Sequence, residues 1–312
     1  RAPGGSAAMT SAGPLPLILV GCGRLAELGY APALAGRERL PVAAVVDPDR
    51  ERRELLADVT GAAAFAELPE AIEAASAGAA IVCNPPSEHL GAARLLADAG
   101  LPALVEKPPA PDAAGAATLC ALDPPPWIGF NRRFALGAAP LGAAPLAAGE
   151  DRLEIEIAYR RRSWRPLGSL GDAWGDLGPH AVDLALLLAG EAEASVRGAE
   201  LSEASASVEL EAGAVVARLE LRTDAPHRER IRAGWEEGGL RTLAATPGPV
   251  RATAARLRGR EHPLVASLRA QVEAFARAVA GEPSAPLASA ADGARAMTVI
   301  DAARPQWSGV NR

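Results

Sequence analysis

The chain has 312 residues, 49% of them hydrophobic and 22% charged, and a formal net charge of −6. That length suits two domains, and the apolar share is enough for packed cores rather than a disordered chain. The acidic balance argues against a nucleic-acid partner, and no apolar run is long enough to cross a bilayer, so a soluble cytoplasmic protein is expected.

Residues 1–13 read as a flexible tail, since no apolar core of a signal sequence follows the single arginine. LILVGC at 17–22 is the first strand, followed by a glycine turn and a helix over 24–35. PVAAVV at 41–46 is the second strand and stops at Asp47; a polar helix follows over 49–57. A short strand at 62–65, a helix at 67–76 and a strand at 79–84 come next. The helix over 87–100 has Ser87 as its candidate cap and Gly100 at its stop. A strand within 101–108, a helix over 112–121 and a strand at 127–131 complete the alternation. Short apolar strands alternating with helices predict a parallel sheet covered on both faces.

Beyond the proline-interrupted, low-complexity stretch at 135–149 the period changes. Residues 152–160, 204–211, 214–222 and 228–235 alternate with period two, as strands of a largely antiparallel sheet do. Helices fall at 176–189, 264–280 and 290–303. The prediction is therefore an α/β domain over 14–130 and an α+β domain over 131–312, with a C-terminal helix free to pack back on the first. Ala206, Val208 and Leu210 share one strand face, which meets either the domain's own helices or a second subunit.

The turn VGCGRLA sets Gly21 and Gly23 directly after the first strand, with Arg24 and Leu25 leading into the helix. Amides at such a turn, with the positive end of the helix, can hold a pyrophosphate. Asp47 ends the second strand, where a carboxylate accepts both ribose hydroxyls of adenosine and repels a 2′-phosphate. NAD is therefore expected over NADP. Arg50, Arg52 and Arg53 follow closely, either as a solvated helix face or as attractors of a phosphate. In NPPSEH at 84–89 two prolines release the chain from the sheet, leaving room beside Asn84 and Pro85 for a ring or ribose. His89 either touches the cofactor or helps cap its own helix.

EKPPA at 106–110 places Glu106 and Lys107 at the carboxyl end of a parallel strand, facing the same crevice as the glycine turn. In WGDLGPHAVDLALLLAG at 174–190, Asp176, His180 and Asp183 share roughly one helical face, opposite Leu184, Leu187 and Leu188. Histidine titrates near neutrality and can take or give the proton of a carbinol oxygen. Lysine can steady the alkoxide that forms. The bland alternative is that Asp176 caps the helix and His180 is a core residue. The four histidines are scattered, so no metal site is expected. Cys22, Cys83 and Cys120 form neither a disulfide framework nor a zinc spacing, as in a reducing compartment.

With VGCGRLA, VVDPD, NPPSEHL, EKPPA, GFNRRF and GDAWGDLGPHAVD in this order, the chain resembles the Gfo/Idh/MocA oxidoreductases over about residues 15–305. The resemblance implies a Rossmann domain joined to a domain with a large open mixed sheet that often forms oligomer contacts. It implies Lys107, Asp176 and His180 as the catalytic set and Asp183 as a wall of the sugar pocket. Asn131 and Arg132 would approach the substrate, and Trp164 with Arg165 would lie near the nicotinamide. Asp172 and Ala173 replace glycines usual in the family, which would make that segment bulkier beside the nicotinamide. The expected activity is NAD-dependent transfer of a hydride between the cofactor and a secondary alcohol or ketone of a polyol, sugar or sugar derivative, in a homodimer or homotetramer. The alternatives are a lyase or hydrolase that retains its NAD, and a non-catalytic nucleotide-binding scaffold.

Overall fold

The computed structural model describes residues 13–134, 146–160, 171–190, 193–235, 238–246 and 261–306. Two sheets organise them. The first begins with β1 (Leu17–Val20), fully buried, and β2 (Val42–Val46). β3 (Ala63–Phe65), β4 (Ala79–Val82), β5 (Ala103–Glu106) and β6 (Trp127–Gly129) follow. The six pair in parallel, and the order from one edge is β6-β5-β4-β1-β2-β3. β1 and β4 are apolar at every position because helices cover both faces of the sheet.

Between β1 and β2 the chain makes a π-helical turn, Ala26–Tyr30, that runs into a short α1 (Ala31–Leu34). α2 (Arg50–Thr60) is capped by Asp49 and stopped by Gly61 in the left-handed region, and α3 (Leu68–Ala74) follows β3. α4 (Pro86–Asp98) starts with proline at its first position, its N-cap is Pro85, and Gly100 lies just past its end. Ser87 is therefore no cap, because it lies inside the helix and its hydroxyl meets Glu88. α5 (Ala113–Leu119) is capped by Asp112.

The second sheet is built from β7 (Arg152–Arg160), β8 (Ser195–Leu201), β9 (Ser205–Ala212), β10 (Val215–Arg222), β11 (Asp224–Gly234) and β12 (Arg241–Ala245). Its order is β12-β11-β7-β10-β9-β8, antiparallel except for the β7–β10 pair. Leu153, Ile155 and Ile157 of β7 line up with Leu219, Leu221 and Ile231 of the neighbouring strands on one apolar face. α6 (Ala173–Ala189) lies against it and is buried almost all round, as a helix in the middle of a core must be. Ala206, Val208 and Leu210 are buried on this same face, so their row meets the chain's own helix. The opposite face is a lattice of ion pairs, among them Arg228 and Arg230 on Glu156 at 3.1 and 2.9 Å, Arg232 on Glu154, and Arg197 on Glu211 at 2.9 Å.

Two C-terminal helices tie the sheets together. α7 (Pro263–Val279) packs on the π-helical turn and α1, with Phe275 edge-on to Trp127 at 5.6 Å. β13 (Ala288–Ser289) adds an antiparallel strand to the edge of the first sheet beside β6. α8 (Ala290–Ala303), opened by a Ser289–Asp292 capping box, packs on both α5 and α6. Gly178 makes the α6–α8 contact possible: a Cβ there would stand 2.7 Å from Ile300 Cδ1. Among the described residues no helix is long and apolar enough to cross a membrane.

Candidate active site

A cleft of about 2900 Å³ runs from the carboxyl ends of β1, β2, β4 and β5 across to β7, β11 and α6. It exceeds the roughly 300–1,000 Å³ of an ordinary small-ligand pocket, so a dinucleotide and a substrate fit together. Its position, outside the strand ends of a parallel sheet, follows from the fold.

At one end is the glycine turn. Gly21 has φ +93°, and its Cβ position is only 2.6 Å from the backbone nitrogen of Asn84, so no side chain fits between β1 and β4. At Gly23 nothing lies within 4 Å of the Cβ position, leaving the turn open toward the cleft. Asp47, at the end of β2, accepts from the Cys22 amide at 2.7 Å and the Asp49 amide at 2.9 Å. Those two bonds fix its carboxylate on the cleft wall. Beside it, burial first and then Asp47 push the Cys22 thiol up to about 12, so it stays neutral. Arg50 pairs with Glu54, Arg52 with Asp49, and Arg53 donates to the carbonyls of Asp47 and Pro48. Arg50 and Arg53 therefore serve the local fold, and only Arg52 of the three reaches the cleft. Arg24, Leu25, Asn84, Pro85 and Glu106 also line it. Asn84 Oδ1 is buried there without a partner among the described residues.

His89 lies elsewhere. Its ring is 1% exposed, with Nδ1 at 3.1 and 3.3 Å from the carbonyls of Pro108 and Pro109 and Nε2 at 2.8 Å from that of Asn84. It braces the loops after β4 and β5 against each other and is not on the cleft wall, because the first turn of α4 directs it inward. It neither touches the cleft nor caps its helix.

At the centre, Lys107 Nζ donates to Asp176 Oδ1 at 3.1 Å and to the Asp176 carbonyl at 3.0 Å. Tyr159, at the end of β7, donates to Asp176 Oδ2. Burial pushes the Asp176 carboxyl up, but Lys107, the Tyr159 bond and Arg132 outweigh it and hold it below the usual range. Asp176 is not the helix cap; Asp172 is, accepting from the Gly175 amide at 2.7 Å. Asp172 and Ala173 are thus used for capping and packing, and the cleft wall starts at Gly175 rather than at these two. His180, one turn along α6, lines the same cleft with its ring edge-on to Phe130 at 6.1 Å. Its Nδ1 is buried without a partner among the described residues. Burial, followed by the charges of Arg132 and Lys107, drives its pKa well below 6.5, so the ring is neutral.

Asp183 does not join them. It is buried against Arg133, which donates to both its oxygens at 2.8 and 2.5 Å, and it stays off the cleft wall. Asn131 and Arg132 do reach the cleft, Asn131 held by Ser267 at 3.0 Å and Arg132 paired with Glu229 at 2.9 Å. Trp164 and Arg165, like the tail at 1–12 and most of the 135–149 stretch, lie outside the described residues. Tyr159 and Glu229 are cleft residues that sequence reasoning missed, as are Tyr30 and Gln271, which are buried behind the wall at Glu106. Only Tyr159 carried a signal: it continues the inward row Leu153, Ile155, Ile157 with a polar tip at the strand end.

A parallel sheet with a glycine turn, a carboxylate on its second strand and an open cleft defines a dinucleotide-binding protein. The family profile described as "Oxidoreductase family, NAD-binding Rossmann fold" (GFO_IDH_MocA) matches residues 16–123. The chain is 31% identical over 301 residues to the myo-inositol dehydrogenase Hyg17 of Streptomyces leeuwenhoekii, covering 88% of this chain and 91% of that one. Its fold is shared with the myo-inositol dehydrogenase of Corynebacterium glutamicum, with a TM-score of 0.76, 19% identity, and 94% and 96% of the two chains covered. The WlbA dehydrogenase of Bordetella pertussis, solved with NADH and UDP-GlcNAcA, gives a TM-score of 0.76 at 16% identity, covering 94% and 95%. The chain belongs to the Gfo/Idh/MocA oxidoreductase family and is an NAD-binding oxidoreductase.

Proposed function

We propose that this enzyme interconverts a secondary alcohol and its ketone on a polyol or sugar-like substrate, with Lys107, Asp176 and His180 as the catalytic residues. The observation that carries the reading is the meeting of Lys107 from the first sheet with Asp176 of α6, in the cleft His180 also lines. The likeness to an inositol dehydrogenase over most of both chains supports the polyol class.

Gly21, Gly23, Arg24 and Leu25 would hold the pyrophosphate, Asp47 the adenosine ribose, and Asn84, Pro85, Glu106 and Lys107 the other half of the coenzyme. The open space at Gly23, the fixed Asp47 carboxylate and the unpartnered Asn84 Oδ1 all fit such a ligand. NAD supplies the acceptor for the hydrogen leaving the carbinol carbon. The neutral His180 takes the hydroxyl proton, and in the reverse direction returns one. Lys107 supplies positive charge beside the developing alkoxide, while Asp176 and Tyr159 fix where that ammonium stands.

The division at about residue 130 into a coenzyme domain and a substrate domain belongs to this reading, with β13 and the last two helices packing back on the first. A homodimer or homotetramer would use the charged outer face of the second sheet, since the apolar face is filled by α6. Free Cys22, Cys83 and Cys120 suit a cytoplasmic enzyme. A screen of polyols, sugar acids and nucleotide-linked sugars with NAD+ and NADP+, read by reduced-nicotinamide absorbance, tests the activity. Full turnover in Lys107→Met, Asp176→Asn and His180→Asn would overturn the assigned roles.

A further inference from the structure

Glu106 closes β5 with a carboxylate that is 5% exposed yet forms part of the cleft wall. Oε1 accepts the Tyr30 hydroxyl at 2.5 Å, and Oε2 accepts the Lys107 amide at 3.0 Å. The Tyr30 oxygen in turn accepts Gln271 Nε2 at 3.1 Å. Gln271 donates to Tyr30, the single proton of Tyr30 goes to Glu106, and both Glu106 oxygens act as acceptors. That pattern suits the ionised carboxylate. On balance burial raises the carboxyl above its usual range, and the Tyr30 bond, the Lys107 charge and the Lys107 amide offset only part of that rise. The nearest ammonium, that of Lys107, is bonded to Asp176 instead. Among the described residues Glu106 has no ion pair of its own; a buried charge so placed is costly, and nothing in the roles given to Lys107, Asp176 and His180 requires it.

The strand order says which part of the coenzyme meets it. With the pyrophosphate held at the turn after β1 and the adenosine ribose at Asp47 on β2, the nicotinamide half would extend the other way, toward the ends of β4 and β5. Those strands end in Asn84 and Glu106. The nicotinamide ring is cationic when oxidised and neutral when reduced. We propose that Glu106, whose ionised form the Tyr30–Gln271 relay favours, prefers the oxidised coenzyme over the reduced one and so sets the ratio of their affinities. The inference rests on the assignment of this cleft to NAD. Its consequence is an enzyme that rests with NAD+ bound, ready for an alcohol.

Binding alone tests it. Dissociation constants of NAD+ and NADH are measured on the full chain by calorimetry and by NADH fluorescence, for the wild type and Glu106→Gln. The expected result is a rise of about tenfold or more in Kd(NAD+)/Kd(NADH). An unchanged ratio, or equal weakening of both forms, overturns the proposal. Tyr30→Phe keeps the carboxylate but removes its strongest donor, so Glu106 takes up a proton at higher pH than in the wild type. The titratable groups that face it are Tyr30, Lys107 and Cys83, and burial pushes the Cys83 thiol up, so it stays neutral. The Tyr30→Phe ratio should match wild type at alkaline pH and rise as pH falls; a flat ratio at the wild-type value overturns the relay. Failure of the wild type to bind either form would overturn the NAD assignment itself.

Discussion

Lys107 and Asp176 come from different sheets' halves of the molecule, yet the Lys107 ammonium bonds to both the carboxylate and the backbone carbonyl of Asp176, at 3.1 and 3.0 Å. One side chain thus fixes the end of β5 against the first turn of α6, and with it the width of the cleft. The pair is 18% and 5% exposed, so removing one partner leaves the other in a poorly solvated place.

Lys107→Met should lower kcat by about 10²–10³, the usual loss when one preorganised donor to a developing oxyanion is removed. Asp176→Asn should cost less, because the amide oxygen can still accept from Lys107, whose bond to the residue-176 carbonyl also remains, and the Tyr159 bond is the one lost. The double variant should fall short of the product of the two losses, since both act on one ammonium. Steady-state kinetics of the four proteins, with NAD+ affinity measured separately, checks this; independent effects would mean the two residues do not act as a unit.

His180 predicts the acid side of both the stability and the rate profile. Its folded pKa lies well below the unfolded 6.5, so the unfolded chain binds more protons between the two values. Its contribution is therefore complete above about pH 6.5 and is lost as pH falls toward the folded value. Wild type should lose more melting temperature between pH 7.5 and pH 5 than His180→Gln does. As the base for alcohol oxidation the ring stays neutral below pH 6.5, so kcat/KM for oxidation should hold on the acid side of that value. A rate that halves at pH 6.5 would contradict a buried, neutral His180.

The first sheet could be read from sequence because strands covered on both faces are continuous apolar runs, and LILV and AAIV are short runs that end at a glycine turn and a proline pair. The glycine turn and Asp47 were legible for a related reason, as backbone demands at strand ends leave fixed residue types. Asp183 was misplaced because helical spacing gives direction but not depth. It shares a face with Asp176 and His180, yet two turns further along α6 that face meets Arg133 instead of the cleft. His89 was unreadable because its partners are three backbone carbonyls, which leave no mark in a sequence. The Gln271–Tyr30–Glu106 relay draws on residues up to 241 positions apart and joins α7, a π-helical turn and β5, a meeting that no local pattern encodes.

Asp47 should decide between NAD and NADP. Its carboxylate is fixed by two backbone amides, and Arg52 stands on the same stretch of cleft wall. Replacing it with serine removes the charge that would repel a 2′-phosphate and leaves Arg52 to attract one. Asp47→Ser should raise the ratio of kcat/KM for NADP+ over NAD+ by about tenfold or more, roughly 1.4 kcal/mol of discrimination. The measurement is the two cofactor titrations at one substrate concentration. No change in the ratio would remove Asp47 from the ribose site.

Arg133 and Asp183 set the last prediction, because their pair is structural but positions the site. Arg133 donates to both oxygens of Asp183, donates to the Pro286 carbonyl at 3.1 Å and lies 3.7 Å from Asp292. It therefore joins the segment after β6 to α6 and to the start of α8. Burial pushes the Asp183 carboxyl up, and Arg133 is the main influence opposing it. Arg133→Met would leave Asp183 buried without its cation, a change that typically costs about 3–5 kcal/mol. Asp183→Asn should cost less, since the amide can keep one bond to the guanidinium. Asn131 and Arg132 precede Arg133 directly and line the cleft, so loosening this anchor should raise KM for the substrate before it affects NAD+ affinity. Denaturant unfolding of both variants, with KM and NAD+ dissociation constants, separates the two effects. A marginal loss of stability in Arg133→Met would show that solvent reaches Asp183, and that the pair does not anchor the cleft.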